Sequence, residues 1–171
     1  IFFLKILGAR VKNINLIICK TDRAWTRDFL PIFLKDKNNR NILSNWEFNA
    51  WSKYKNFRND NKAYLKVKKF RKMKSISPKY KNKKIILEGG SIDVNGDGLV
   101  LTTKQCLLSK IQQRNRGYKI KDYNKIFNKF FGAKKVIWLN KGIFGDDTNG
   151  HIDDIARFVS KDKIFIAKEN N

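Results

Sequence analysis

The sequence predicts an α/β fold, and three observations carry the prediction. Short apolar runs rich in Ile, Val and Leu alternate with Lys-rich segments of helical period. Three hairpin-like units recur, each opened by an acidic residue, and those acids (Asp28, Glu88, Asp153) fall 60 and then 65 residues apart. Hydrophobic residues make up 42% of the 171, with thirteen Phe and four Trp, which suits one medium domain with a buried core and is too much for a disordered basic tail.

The chain opens inside an apolar run, Ile1 to Leu7, with no cap before it, so it reads as an internal piece of a longer protein. Asn15 to Lys20 reads as a short buried strand. In the first unit Asp28 precedes Phe29 to Leu34, a polar turn at Asp36 to Arg40, and Asn41 to Phe48. Lys62 to Lys84 is the densest basic stretch. It sets Lys66, Lys68, Lys69, Arg71, Lys72 and Lys74 on a helix-compatible segment with Leu65, Val67, Phe70 and Met73, and is predicted to be a solvated helix face. Asn82 to Leu87 is a predicted strand. In the second unit Glu88 precedes Ser91 to Val94, the turn Asn95 Gly96 Asp97 Gly98, and Leu99 to Thr103. Tyr123, Ile126, Phe127, Phe130 and Phe131 recur at helical spacing, and Gly132 stops that helix before a predicted strand at Lys134 to Leu139. In the third unit Asp153 precedes Ile155 to Val159, a turn at Ser160 to Lys163, and Ile164 to Ala167. Each unit is predicted to run strand, acid, hairpin, helix, which would bring the carboxylates toward one axis.

The net charge of +23 makes a nucleic-acid-binding module the first rival reading. Of the 38 basic residues 29 are Lys and only nine Arg, whereas specific recognition leans on the Arg fork, so the charge reads better as composition bias than as a binding face. No run approaches the roughly 18 apolar residues that a membrane span needs. Cys19 and Cys106 both lie in apolar surroundings and are predicted to be buried structural thiols.

Carboxylates are scarce, and they cluster. Asp146, Asp147, Asp153 and Asp154 surround His151, the only histidine, in a Gly-punctuated segment. A structural role, with turn or cap contacts and a satisfied histidine, loses ground because His151 and Asp153, two residues apart, are predicted to share a strand face. Trp25 Thr26 Arg27 Asp28 puts a carboxylate beside an aromatic wall, unless Arg27 and Asp28 simply pair with each other. Glu88, one of three Glu, precedes two glycines that let backbone approach closely. Together the clusters describe an acidic pocket in a basic protein, suited to a flat cation such as a guanidinium. Asp93 to Gly98 imitates the start of a calcium loop, but Lys104 stands at its twelfth position, so it reads as a hairpin turn. The glycines at 89, 90, 96 and 98 do not form a phosphate fingerprint.

These segments resemble, in order, the agmatine deiminase and bacterial-type peptidylarginine deiminase family. The matching stretches are Trp25 Thr26 Arg27 Asp28 with Pro31; Trp46 Glu47 Phe48 Asn49 Ala50 Trp51; Glu88 Gly89 Gly90 Ser91 Ile92 with Leu101 Thr102 Thr103 and Cys106 Leu107 Leu108; and Asp147 Thr148 Asn149 Gly150 His151 Ile152 Asp153. The resemblance covers about Ile14 to Val159, and Phe48 Asn49 Ala50 Trp51 resembles the agmatine branch more than the peptidylarginine branch. It implies a pentein-type pseudo-fivefold α/β propeller, of which residues 1–171 would form one partial domain of two to three blades, truncated at both ends. It also implies hydrolysis of agmatine to N-carbamoylputrescine and ammonia through a cysteine thiouronium, with peptidylarginine as the alternative substrate. By motif position Asp28 and Asp153 would grip the guanidinium, His151 would move protons, Glu88 would be a further carboxylate of the pocket, and Trp25 and Asp147 would line it. No metal or organic cofactor is implied, nor a specific nucleic acid or a membrane; a homo-oligomer is compatible with the resemblance, and a cytoplasmic setting is favoured. The family's nucleophilic cysteine lies beyond this sequence, so the segment alone is expected to be inactive and poorly stable, as a decayed gene fragment also would be. Leu30 and Ser52 stand where the family usually has glycine, which bears on the local turns around Asp28.

Overall fold

The computed structural model describes residues 12, 14–71 and 73–168; the opening run Ile1 to Leu7 lies outside them. Two units share one plan. In the first, β1 (Ile32–Lys35) and β2 (Asn41–Ser44) form an antiparallel hairpin, the helix α2 (Arg58–Arg71) crosses over, and β3 (Ser75–Ile76) returns parallel to β2. In the second, the hairpin is β6 (Ile92–Val94) and β7 (Leu99–Thr103), followed by the short helix α3 (Lys104–Leu108) and the helix α4 (Ile120–Phe131), and β8 (Lys135–Leu139) returns parallel to β7. Parallel neighbours need such a crossover, which is why a helix follows each hairpin. A third hairpin, β9 (Ala156–Phe158) with β10 (Ile164–Ile166), begins the plan again. Between the first two units lies a small ladder of β4 (Lys79–Tyr80) and β5 (Lys83–Lys84), joined to the first unit by a single parallel bridge from Glu47 to Ile86.

The helix α4 carries most of the core. Tyr123, Ile126 and Phe127 are fully buried against Val100, Ile92, Leu87 and Leu107, each such side chain contributing about 1.5–3 kcal/mol of apolar burial. Gly132 ends the helix in the left-handed conformation (φ 66°), as its position in the sequence predicts. The Asn95–Gly98 turn is a hairpin turn: Asn95 Oδ1 accepts from the backbone N–H of Asp97 and of Leu99, and Gly96 and Gly98 take φ of 75° and 92°. Asp93 ties the second hairpin to the third by accepting from Phe158 N–H at 2.6 Å. The lysines of α2 are exposed, as its pattern predicts.

Three predictions are corrected. Asn15 to Lys20 is irregular rather than a buried strand, with Leu16 60% and Ile18 93% exposed, because none of the described strands supplies it a ladder. Cys19 is consequently half-buried against the cluster around Phe29, whereas Cys106 is fully buried as predicted. The predicted strand Asn82 to Leu87 is reduced to the two-residue β5 and the bridge at Ile86. No helix among the described residues is long and apolar enough to cross a membrane.

Candidate active site

Asp28 and Asp153 sit on single turns just ahead of their hairpins, and Glu88 ends the extended stretch that leads into its own (φ −86°, ψ 143°), as the sequence predicts. Asp28 lies in α1 (Thr26–Phe29), Glu88 heads the 3-10 turn Gly89–Ser91, and Asp153 lies in the turn 153–155. His151 and Asp153 therefore meet through a turn and not across a strand face, which corrects that expectation. Repetition of one plan brings the three turns together, as the 60- and 65-residue spacing suggests.

Gly90 is where they meet. Its N–H donates to Asp28 Oδ1 at 3.0 Å, and its carbonyl accepts from Asp153 N–H at 3.3 Å. A Cβ there would lie 2.5 Å from His151 Nδ1, 2.7 Å from Asp28 Oδ1 and 3.0 Å from Asp153 Oδ1, so only glycine lets these three side chains close on one point. His151 Nδ1 is 3.8 Å from each of those carboxylate oxygens, and Nε2, on the far side of the ring, faces Glu88 Oε2 at 4.0 Å. Asp28, Glu88 and His151 are all buried.

Trp51 is a site residue that the sequence reading misses. Its indole N–H donates to Asp28 Oδ2 at 2.9 Å, so both oxygens of that carboxylate are held by protein donors. Burial raises the Asp28 carboxyl above the usual range and the Glu88 charge adds to this, while His151, Trp51 and Gly90 oppose it. The indole is placed by three successive left-handed residues, Ala50, Trp51 and Ser52 (φ 52°, 57° and 54°), which explains why glycine suits this segment. Arg23 stacks near the rings of Trp51 and Tyr54, 5.4 and 5.2 Å from their centroids, and pairs with Asp60. Leu30, by contrast, has an ordinary extended backbone (φ −80°), so its side chain imposes no strain beside Asp28.

A cleft of about 630 Å³ opens onto this point, lined among others by Trp25, Asp28, Trp51, Asp147, His151 and Asp153. Trp25 forms an exposed rim. Arg27 does not pair with Asp28; its Nε approaches Asp153 Oδ2 at 3.8 Å. Asp147 stands at the mouth, where hydrogen bonds from Lys53 and from Tyr54 Oη hold its carboxyl below the usual range. Asp146 serves the loop itself. Burial alone would raise its carboxyl, but bonds from Thr148, Gly150 N–H and His151 N–H hold it low and shape the loop that carries His151. Burial, Asp146 and Asp153 push Asp154 up. Arg114, which the sequence reading also misses, is buried and donates through Nε to Glu88 Oε1 at 3.0 Å.

The donor atoms of Glu88, Cys106 and His151 lie within 4.8 Å of one another, the one set among the described residues that could hold a metal ion. Arg114, hydrogen-bonded to that glutamate, opposes a second cation there. Burial raises the Cys106 thiol, so Cys106 is a poor nucleophile, and neither it nor Cys19 lines the cleft. The arrangement instead suits a planar cation seated on two carboxylates beside a histidine able to carry protons.

Residues 4–171 match the family model of the Porphyromonas-type peptidyl-arginine deiminases. The chain belongs to that family. It is 32% identical over 162 residues to the agmatine deiminase of Pseudomonas savastanoi pv. phaseolicola, covering 92% of this chain and 42% of that protein. A cysteine-to-serine variant of the C. jejuni agmatine deiminase, solved with substrate bound, superposes with a TM-score of 0.78 at 35% identity over 94% of this chain and 46% of that one. The agmatine deiminase of Enterococcus faecalis gives 0.76 at 32%, covering 85% and 40%. The chain thus spans less than half the length of the relatives it matches.

Proposed function

We propose that this chain is the guanidinium-gripping part of a deiminase that hydrolyses agmatine to N-carbamoylputrescine and ammonia. The observation that carries the proposal is the closure of Asp28, His151 and Asp153 on Gly90, with Glu88 behind the imidazole. Two carboxylates neutralise and orient the guanidinium. In this reading a cysteine thiolate from the rest of the enzyme attacks the central carbon; His151 protonates the departing nitrogen, so ammonia leaves and a thiouronium remains. The same imidazole then takes a proton from water as it adds to that carbon, the thiolate departs with its bonding pair, and the remaining hydroxyl proton passes to the released ammonia or to solvent, leaving the neutral carbamoyl product. Asp28 and Asp153 hold the planar group throughout, while Trp25 covers it from the rim.

The acidic mouth favours agmatine over peptidylarginine. Six aspartates (Asp22, Asp28, Asp146, Asp147, Asp153 and Asp154) against two arginines (Arg23 and Arg27) line the cleft, and of these Asp154 is exposed and outside any ion pair among the described residues, which suits the ammonium of agmatine better than the neutral amides of a peptide. The three hairpin units would be blades of the five-bladed pentein array, with residues 1–171 a partial domain of a cytoplasmic enzyme. The test uses the full-length gene product, with ammonia release measured from agmatine and from a peptide ending in arginine. Release from agmatine that falls by about 10³-fold in Asp153→Asn supports the reading, since an interaction made to the reacting group is lost. No release from agmatine, or undiminished release in Asp153→Asn, refutes it.

A further inference from the structure

Between α3 and α4 the chain runs irregularly through residues 109–119, and residues 112–115 each bond a different part of the site. Gln112, itself left-handed (φ 49°), donates through Nε2 to the carbonyls of Trp51 and Asp147 at 3.1 and 3.0 Å. The Gln113 carbonyl accepts from Ser52 Oγ at 2.9 Å. Asn115 bonds Ile86 through both its amide groups, fixing the stretch that leads into Glu88. Arg114 lies among them, 3% exposed, and uses its whole fork: Nε to Glu88 Oε1, Nη1 to the Gln112 carbonyl at 2.9 Å, and Nη2 to the Thr148 carbonyl.

We propose that Arg114 is a positioning residue for His151, holding the imidazole from two sides: through Glu88, and through the loop that begins at Thr148. The proposal rests on the deiminase reading above. On the first side, Glu88 Oε2 and His151 Nε2 are both buried, neither has a hydrogen-bond partner among the described residues, and they face each other at 4.0 Å. Because Arg114 occupies Oε1, turning the carboxylate would sacrifice a charge-assisted hydrogen bond inside the protein, so Oε2 stays aimed at the ring. On the second side, the Thr148 N–H and hydroxyl bond the Asp146 carboxylate, which in turn accepts the N–H of Gly150 and of His151. Pinning the Thr148 carbonyl therefore fixes the backbone from which the imidazole projects.

Stability alone does not require this pair. A buried ion pair contributes little net stability relative to apolar residues of similar volume, although removing one partner is costly. A lysine would keep the charge but could not aim three donors in one plane.

The test is a double-mutant cycle in the full-length gene product, reading kcat and KM for agmatine together with the urea unfolding midpoint. Arg114→Met is expected to lower kcat about 100-fold, the scale set by a misplacement near 1 Å, with KM within about threefold. Arg114→Lys is expected to recover only part of that loss. The double variant Glu88→Gln/Arg114→Met leaves no unpaired buried charge, so its unfolding midpoint returns toward the wild type, while its kcat falls no further than in the worse single variant. Recovery of kcat together with the midpoint would reduce Arg114 to a structural role and overturn the proposal, as would fully additive kcat losses. If Arg114→Met does not fold, the double variant is compared with Glu88→Gln alone: a double-variant kcat at the wild-type level overturns the proposal, and one no higher than that of Glu88→Gln supports it. A wild-type protein that releases no ammonia from any guanidine overturns the deiminase reading and the role of Arg114 with it, and is told apart because that failure needs no variant.

Discussion

Replacing Gly90 by alanine adds one methyl group at the point where the site closes. The backbone there does not need positive φ, so the effect comes from space alone. The new Cβ would stand 2.5 Å from His151 Nδ1, 2.7 Å from Asp28 Oδ1 and 3.0 Å from Asp153 Oδ1, against an ordinary contact of 3.4–4 Å. Relief requires one or more of these side chains to withdraw by about 0.5–1 Å, and a misplacement of about 1 Å in a reacting constellation costs on the order of 100-fold in rate. Overpacking adds about 1–3 kcal/mol of destabilisation. Steady-state ammonia release from agmatine by full-length Gly90→Ala is therefore expected to fall at least about 100-fold in kcat/KM, with a folded protein by circular dichroism. Gly96→Asn is the control: Gly96 is left-handed and a Cβ added to it would meet nothing within 4 Å, so that variant should keep its activity. Activity of Gly90→Ala within about threefold of the wild type would refute the convergence of the three residues.

Two further variants probe other parts of the frame. Trp51→Phe keeps an aromatic ring but removes the N–H that Asp28 Oδ2 accepts; it is expected to cost about 1–3 kcal/mol of stability and to raise KM for agmatine, measured by urea unfolding and initial rates. Asp122 caps α4 and is held at a pKa of about 2 by hydrogen bonds from Lys81, from the Lys119 N–H and from Tyr80. A carboxyl depressed on folding contributes stability that is complete above its unfolded value of 3.8 and disappears as pH falls through about 2. Asp122→Asn should therefore lower the unfolding midpoint at pH 7, and its difference from the wild type should shrink as pH falls from 4 to 2; a constant difference would contradict the assignment.

The hairpins and α4 are legible in the sequence because their signals are local. The Asn95–Gly98 turn needs only an Asx side chain and two glycines in left-handed conformations, and α4 needs only one apolar face and a terminal Gly132. The segment Asn15 to Lys20 misleads because an apolar run states a preference for burial without saying what covers it. The four-residue helix around Asp28 is hidden for a related reason: such a turn is held by tertiary contacts, here the bonds from Trp51 and Gly90, and not by its own propensity. Trp51 reaches Asp28 only through three left-handed residues that no composition rule anticipates. The sequence does hold one usable signal for Arg114. In a chain with 29 Lys and nine Arg, five arginines (Arg23, Arg27, Arg40, Arg114 and Arg157) pair with carboxylates against four lysines among the described residues, so an arginine is here the better guide to a paired carboxylate. Asp146 takes the turn-contact role that the sequence offers as its structural alternative: its oxygens serve the backbone of its own loop at the cleft wall.

His151 is the only histidine of this sequence, and its imidazole lies between Asp28, Glu88 and Asp153. Its ring resonances, assigned in the full-length protein by comparison with His151→Gln, report directly on whether a guanidinium enters that space. Titration with agmatine should shift those resonances saturably, and the shift should vanish in Asp28→Asn and in Asp153→Asn. An unchanged His151 signal at saturating agmatine, or the same shift in both variants, would contradict a single guanidinium pocket built from these residues.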